Sequence, residues 1–392
     1  MKERFGRVEA GETSNKLPKS AVRTCFFLAI VSLTMLCTYA LAKEMTADDW
    51  TKKGEELSGK GDLNESIQAY EKALALYNES IKQNPTDAKT WTSKGNALFN
   101  LALSKSDPSL FNESIESYDR ALQIDPIFAD AWFGMGVALN DQGSDPRIHD
   151  KEALEALDKA LQIDPNNPRY WEGKGRVLFM PGRYNESLEA FNKAINLWPA
   201  NQTDKLSGTW LLKGFSLLRA GMPNDAINAF DEVLQINSKD VDAWNFRGDA
   251  LRSMDKYNES VESYTKAIQI NPENSEVWEK KGEVLDSLGK HEEAVKAYQR
   301  AIEILDNTTR ANHNDNNAWN NKGHLFMKIG RYEDALKAYD MFIETAHAGY
   351  PIEVAVAWYN EGLALESLGR DSEADTAFTK AKERGYEGPN KK

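Results

Sequence analysis

Cysteine is almost absent from this chain of 392 residues, and its two examples, Cys25 and Cys37, lie close together near the amino end. The rest of the chain has none, which excludes disulfide bonds and thiol chemistry there. The five histidines (His149, His291, His313, His324 and His347) show no paired spacing of the kind that binds a metal. No glycine-rich phosphate loop or nucleophile motif occurs either. We therefore expect no enzyme activity, no metal and no cofactor.

Basic residues are fewer than acidic ones, with 48 Lys and Arg against 61 Asp and Glu. The formal net charge is −13, and residues 1–42 contribute +3 through six basic and three acidic residues, which leaves −16 for the remainder. Such an acidic surface repels phosphate backbones, which argues against nucleic acid as a partner. The excess of acid is explained by solubility alone, and attraction of a basic ligand is the alternative.

Tryptophan, by contrast, is placed with a fixed pattern. Nine of the ten tryptophans are each followed four residues later by a glycine, and only Trp198 stands outside the set. The pairs are Trp50/Gly54, Trp91/Gly95, Trp132/Gly136, Trp171/Gly175, Trp210/Gly214, Trp244/Gly248, Trp278/Gly282, Trp319/Gly323 and Trp358/Gly362. A recurring period of this length indicates an array of structural repeats.

Each repeat is predicted to be two helices joined by a tight turn. Apolar residues at three- and four-residue spacing run from Trp244 to Leu251, and a second stripe runs from Tyr257 towards Pro272. The second stripe carries a small residue, Ser260, and a large ring, Tyr264, four residues later. Large side chains set against small ones allow the dense packing of a protein core, so we expect a close helix pair.

These offsets resemble the tetratricopeptide repeat over about residues 47–388, in nine copies. The resemblance implies an all-α fold: a right-handed superhelical solenoid of antiparallel helix pairs, with a concave groove lined by the first helices. We expect the nine indoles to be buried between neighbouring helices. Some repeats carry five or seven extra residues, and seven residues make about two helical turns. The insertion 77–83 is therefore predicted to lengthen a helix.

The amino end has its own organisation. Residues 25–42 form an uncharged apolar run, preceded by basic and followed by acidic residues. This asymmetry predicts a cytoplasmic basic segment (1–24), a membrane segment (25–42), repeats outside the cytoplasm (47–388) and a short tail (389–392). The segment is either a retained transmembrane anchor or a signal peptide cleaved after Ala42, and both alternatives stay open.

Seven sequons predict N-glycosylation, which suits an exported protein. They are Asn64, Asn78, Asn112, Asn185, Asn201, Asn258 and Asn307. Four of these share one position at the start of a second helix, where asparagine is a good N-cap. The serine two residues later would fill the small-residue position, so capping and packing explain the Asn-Glu-Ser motif equally well.

Peptide binding is the function that the resemblance implies, at groove positions on the first helices. In the central repeats these positions hold Arg176, Phe179, Leu212, Phe215, Arg219, Phe246 and Arg252. Aromatic residues and arginine are enriched at binding hot spots. The alternative is that Phe179, Leu212 and Phe215 only pack between helices. Some members of the family clamp the terminal carboxylate of a peptide with Lys and Asn. This pattern is not reproduced here, because Glu279 and Glu283 stand at those positions.

The sequence thus predicts a non-catalytic scaffold for protein–protein interaction, exposed outside the cytoplasm, with a protein or peptide partner. The alternative is a self-assembling structural protein of the cell envelope. The last repeat has no additional polar capping helix after it, which leaves self-association open.

Overall fold

The computed structural model describes residues 45–142, 150–346 and 351–388, and these residues form eighteen α-helices and no β-strand. The first nine are α1 (Ala47–Gly59), α2 (Leu63–Gln83), α3 (Ala88–Lys105), α4 (Pro108–Ile124), α5 (Ala129–Asp141), α6 (Asp150–Ile163), α7 (Pro168–Phe179), α8 (Tyr184–Leu197) and α9 (Thr203–Arg219). The others are α10 (Pro223–Ile236), α11 (Val241–Ser253), α12 (Tyr257–Ile270), α13 (Ser275–Ser287), α14 (His291–Ala311), α15 (Asn316–Lys328), α16 (Tyr332–Thr345), α17 (Pro351–Ser367) and α18 (Asp371–Glu383).

The chain divides into two compact units, Met1–Pro126 and Ile127–Lys392. In the first, α1 to α4 form two helix pairs; in the second, α5 to α18 form seven. Within each unit every helix packs on the one before it, and each pair is stacked on the preceding pair. The predicted all-α solenoid of helix pairs is confirmed.

Each pair is locked by a large side chain pressed onto a glycine, which is a ring in eight pairs and Leu157 in the other. A Cβ atom added to Gly248 would lie 2.5 Å from the Tyr264 ring, and one added to Gly214 would lie 2.5 Å from the Phe230 ring. Both rings are fully buried. No residue larger than glycine fits beneath the ring. The sequence spacing between the glycine that follows each tryptophan and the ring therefore predicts which two helices pack together.

The nine indoles are only half-buried, so the expectation that they form the buried core is wrong. The ring N–H of Trp244 donates to the carbonyl of Ser238 at 3.0 Å, and that of Trp278 donates to the carbonyl of Pro272 at 2.9 Å. A lysine covers several ring faces, as Lys193 does over Trp171 at 4.0 Å. The indole needs an acceptor for its N–H, which keeps it at the edge of the core.

Helix boundaries confirm one prediction and correct another. The insertion 77–83 does lengthen α2, which runs without a break to Gln83. Asn64, Asn185 and Asn258, however, are not N-caps, because α2, α8 and α12 each begin one residue earlier. Asn112 lies deeper still, because α4 begins at Pro108, and proline favours the first turn of a helix.

The amino-terminal segments 1–24 and 25–42, with both cysteines, and the tail 389–392 lie outside the described residues. Among the residues that are described, no helix is both long and apolar enough to cross a bilayer.

Candidate functional site

Three phenylalanines from three first helices meet in one row in the second unit. The ring centroids of Phe179 on α7 and Phe215 on α9 lie 5.2 Å apart, and those of Phe215 and Phe246 on α11 lie 5.3 Å apart. The rings are tilted by 41° and 43°, in the favourable range for aromatic pairs. All three rings are half-buried. We call this row the phenylalanine ladder.

Helix register explains the ladder. Phe179, Phe215 and Phe246 follow the tryptophan of their own repeat by eight, five and two residues, so the row shifts by about one helical turn from each first helix to the next. The Phe246 ring packs on the buried ring of Phe230, with centroids 6.0 Å apart, and the Phe179 ring packs on Tyr184, with centroids 5.7 Å apart. The rings therefore pack between helices, and each of them keeps part of its surface exposed.

The other predicted site residues divide into two groups. Leu212, three residues before Phe215 on α9, is half-buried, and Arg176 and Arg219 are exposed. Arg252 differs, because its Nη1 atom donates to Glu283 Oε2 at 2.7 Å. The structure thus brings the apolar residues together and shows that one of the three arginines already has a partner within the chain.

Beyond the ladder, the same face of the first helices is a network of ion pairs. Glu283 on α13 also bonds Lys328 on α15 at 2.7 Å, and Lys280 bonds Asp249 at 2.9 Å and Glu276 at 2.8 Å. Burial by itself lowers the pKa of Lys280, but these two carboxylates overcome it and raise the net pKa. Sequence reasoning missed this network, although opposite charges whose offsets from successive tryptophans differ by three or four residues would have indicated it.

Burial shifts the pKa values of nearby groups in the network. Burial raises the pKa of Glu279, and burial together with Lys328 lowers the pKa of His324. The His324 ring lies against Tyr339, with centroids 5.9 Å apart, and its Nε2 atom is 3.3 Å from Asn360 Nδ2. This section satisfies its own charges and offers few unpaired groups to a ligand.

A second feature that sequence reasoning missed concerns the residue three positions after each tryptophan. It is basic in seven repeats: Lys53, Lys94, Lys174, Lys213, Arg247, Lys281 and Lys322. Three of these bond an aspartate of the preceding second helix: Lys174 to Asp158 (2.5 Å), Arg247 to Asp231 (2.8 Å) and Lys322 to Asp306 (2.7 Å). A basic residue at this position can therefore tie one repeat to the one before it.

The ninth repeat reverses this charge. Glu361 on α17 stands at the same position and lines a cleft of about 510 Å³ with Asp340 of the preceding helix α16. Burial, with the neighbouring Asp340, raises the pKa of Glu361 to about 7. Glu361 Oε2 is buried without a hydrogen-bond partner among the described residues.

The sequons lie on the surface. All seven asparagines are exposed, and Asn201 is the one that lies between helices rather than within one. The serines that follow Asn112, Asn185 and Asn258 are buried and donate to the carbonyls of Gly95, Gly175 and Gly248 at 2.7–2.8 Å. Packing therefore accounts for the serine of this motif, whereas capping does not account for the asparagine.

Comparison with known proteins identifies the family. Sequence models described as tetratricopeptide repeat match residues 50–80, 151–202, 241–274, 263–296, 298–351 and 320–389, and one described as TPR repeat matches 111–143, so that together they cover more than half of the chain. The chain is a tetratricopeptide repeat protein. No curated protein matches it.

Within the described residues, no group of three His, Cys, Asp or Glu side chains is placed to hold a metal.

Several solved structures are similar to this tetratricopeptide repeat chain at low sequence identity. Yeast Tom70 is 17% identical with a TM-score of 0.57, and the match covers 88% of this chain and 66% of Tom70. YrrB, described as a TPR protein with an unusual peptide-binding site, is 19% identical over 48% of this chain and 93% of YrrB, with a TM-score of 0.40. PilF of Pseudomonas aeruginosa is 20% identical over 53% of this chain and 89% of its own, with a TM-score of 0.43.

Proposed function

We propose that this tetratricopeptide repeat protein is a non-catalytic scaffold that binds a segment of a partner protein on the phenylalanine ladder. The observation that carries the proposal is the ladder itself: three rings in contact, each with part of its surface exposed. Rigid aromatic side chains lose little conformational entropy on binding and supply a large apolar contact area. Members of this family typically act as scaffolds, which agrees with the proposal.

Replacement of Phe215 and Phe246 by Ser tests the site. We expect the double variant to keep its helical circular dichroism and to lose the partner that is crosslinked to the wild-type chain in its native envelope. Phe99→Ser is the matched control, because Phe99 is also a half-buried ring on a first helix, α3, and lies in the other unit. Retention of the partner by the double variant, or its loss in the control, would contradict the proposed site.

We also propose that the repeats lie outside the cytoplasm, held by residues 25–42 or released by cleavage after Ala42. The charge asymmetry around that segment supports the orientation, and the exposure of all seven sequon asparagines is compatible with glycosylation. Protease added to intact cells should digest the repeats, and amino-terminal sequencing of the mature chain separates an anchor from a cleaved peptide. Protection of the repeats until the cells are lysed would contradict this location.

Self-assembly into an envelope structure is the second candidate, and one observation favours it. Phe378 of the ninth repeat is half-buried, whereas its counterparts Phe230 and Tyr339 are 0% and 1% exposed. Tyr386 covers part of this end through Tyr359, whose ring centroid is 5.3 Å from that of Tyr386. Light scattering over a range of concentrations tests this candidate, because a scaffold keeps a constant size and a self-assembling protein grows.

A further inference from the structure

The ladder is bordered by two guanidinium groups that have no carboxylate partner among the described residues. Arg176 lies three residues before Phe179 on α7, and Arg219 lies four residues after Phe215 on α9. Side chains at these spacings are neighbours on one helix face. Both arginines are exposed, and neither makes an ion pair with a described residue, whereas Arg183 and Arg247 each bond a carboxylate. Within the described part of the chain, the two cations therefore flank the ladder with no carboxylate bound to them.

A small cavity extends the positive side of this surface. It has a volume of about 120 Å³ and lies between α5, α7 and α9. The charged residues that line it are Arg169, Arg176, Lys205, Glu172 and Asp141. Both carboxylates already accept hydrogen bonds: Glu172 from Thr209 Oγ1 at 2.5 Å, and Asp141 from Asn140 Nδ2 at 2.7 Å. The cavity thus holds three cations against two carboxylates.

We infer that the segment bound by the ladder carries acidic side chains, Asp or Glu, beside its apolar ones. The inference rests on the proposed function and names the chemistry of the partner at that same site. Apolar side chains of the segment lie against Phe179, Phe215 and Phe246, and its carboxylates bond the two flanking guanidinium groups. Arginine binds a carboxylate through two parallel hydrogen bonds, which fixes the position of the segment along the ladder.

The net charge of the chain, −13, does not oppose this assignment. At physiological ionic strength the screening length is about 8 Å, so distant surface carboxylates contribute little at the ladder. The local charges decide the contact: Arg219 and the three cavity cations outnumber the two cavity carboxylates, and Arg252 is neutralised by Glu283. A basic segment would place its charges next to those same cations.

Three fluorescein-labelled synthetic peptides test the inference on the full-length chain. They share Leu and Phe at alternate positions and carry Glu, Lys or Gln at the others. By fluorescence anisotropy we expect the Glu peptide to bind at least tenfold tighter than the Lys peptide, with a difference that shrinks as salt is added. In the double variant Arg176→Glu/Arg219→Glu we expect the order of the two peptides to reverse.

The control variant is Lys266→Glu/Lys296→Glu, which changes the net charge by the same amount on exposed lysines of the second helices α12 and α14. It should leave the order of the peptides unchanged. Phe215→Ser separates the two proposals, because it should weaken binding of all three peptides. If it does so while the wild-type chain prefers the Lys or Gln peptide, the ladder is a binding site and the acidic chemistry is wrong. If no peptide binds, or if Phe215→Ser has no effect, the proposed function fails as well.

Discussion

The first helices of the second unit present two sections of opposite character. On α7, α9 and α11 the ladder leaves part of each ring exposed and two guanidinium groups without a carboxylate partner among the described residues, whereas from α11 to α15 charged side chains pair with one another across repeats. Both sections are built on the same scaffold of rings locked onto glycines. The repeat therefore fixes the backbone, and the residues at a few outward positions decide whether the face is available to a ligand.

The largest expected effect separates the core from the ladder. Phe230 is fully buried beneath Gly214, so Phe230→Ala should lower the free energy of unfolding by about 3–5 kcal/mol. Phe215→Ala removes a half-buried ring and should cost about 1 kcal/mol. Urea unfolding followed by circular dichroism measures both. Equal losses would mean that the ladder belongs to the core and is not a surface.

The next effect belongs to the paired section. Lys280→Ala removes the group that bonds Asp249 and Glu276. Because hydrogen bonds to charged groups contribute about 1.5–3 kcal/mol, this variant should lower the free energy of unfolding by that amount. Arg176→Ala, in the ladder section, should change stability by only about 0.5 kcal/mol, because the side chain is exposed and has no ion pair with a described residue. The comparison is made by thermal unfolding in low and in high salt. If the two variants lose the same stability, the contrast between the sections is wrong.

A smaller, pH-dependent effect is expected at Glu361, which stands where seven other repeats have a basic residue. Its folded-state pKa of about 7 lies above the unfolded value of about 4.3. The folded state therefore holds the proton more tightly, and this contribution to stability is complete below about pH 4 and lost as the pH rises through 7. Because Glu361 is partly exposed, we discount the contribution to about 1 kcal/mol.

Glu361→Gln should accordingly flatten the fall in Tm between pH 5 and pH 8. Glu366→Gln, on the same helix but exposed, is the matched control and should leave the fall as it is. Glu361→Lys restores the basic residue of the other repeats opposite Asp340 and should raise the Tm at pH 8. An unaltered pH profile in Glu361→Gln would show that Glu361 is solvated as an ordinary surface carboxylate.

The smallest effect concerns the arginine at the boundary between the two sections. Arg252 bonds Glu283, so Arg252→Gln should weaken binding of the Glu peptide less than threefold. Arg219→Gln removes a guanidinium that bonds no carboxylate among the described residues, and it should weaken binding of the Glu peptide about tenfold. Fluorescence anisotropy with the same labelled peptide compares the two. A larger loss at Arg252 would place the ligand over the paired section instead.

Particular residues show how far the sequence alone could predict the site. Phe179, Phe215 and Phe246 are identified from the sequence because the resemblance assigns their offsets from the tryptophans to groove positions on the first helices. The pairing of Arg252 with Glu283 was not predicted, because the two residues are 31 positions apart and belong to different repeats. Residue type and offset indicate which face a side chain occupies, but not the distance to a charge on the next helix.

The amino-acid sequence specifies the helix pair and its repetition, because the glycine after each tryptophan recurs nine times and lies against a ring in eight pairs and against Leu157 in the other, which permits only one close approach. Only the tertiary structure decided which charges are already paired, how far each indole is exposed and that three rings from three repeats touch. The physical reason is that steric fit within one repeat is local in the chain. Ion pairing and exposure depend instead on distances between helices that stacking alone sets.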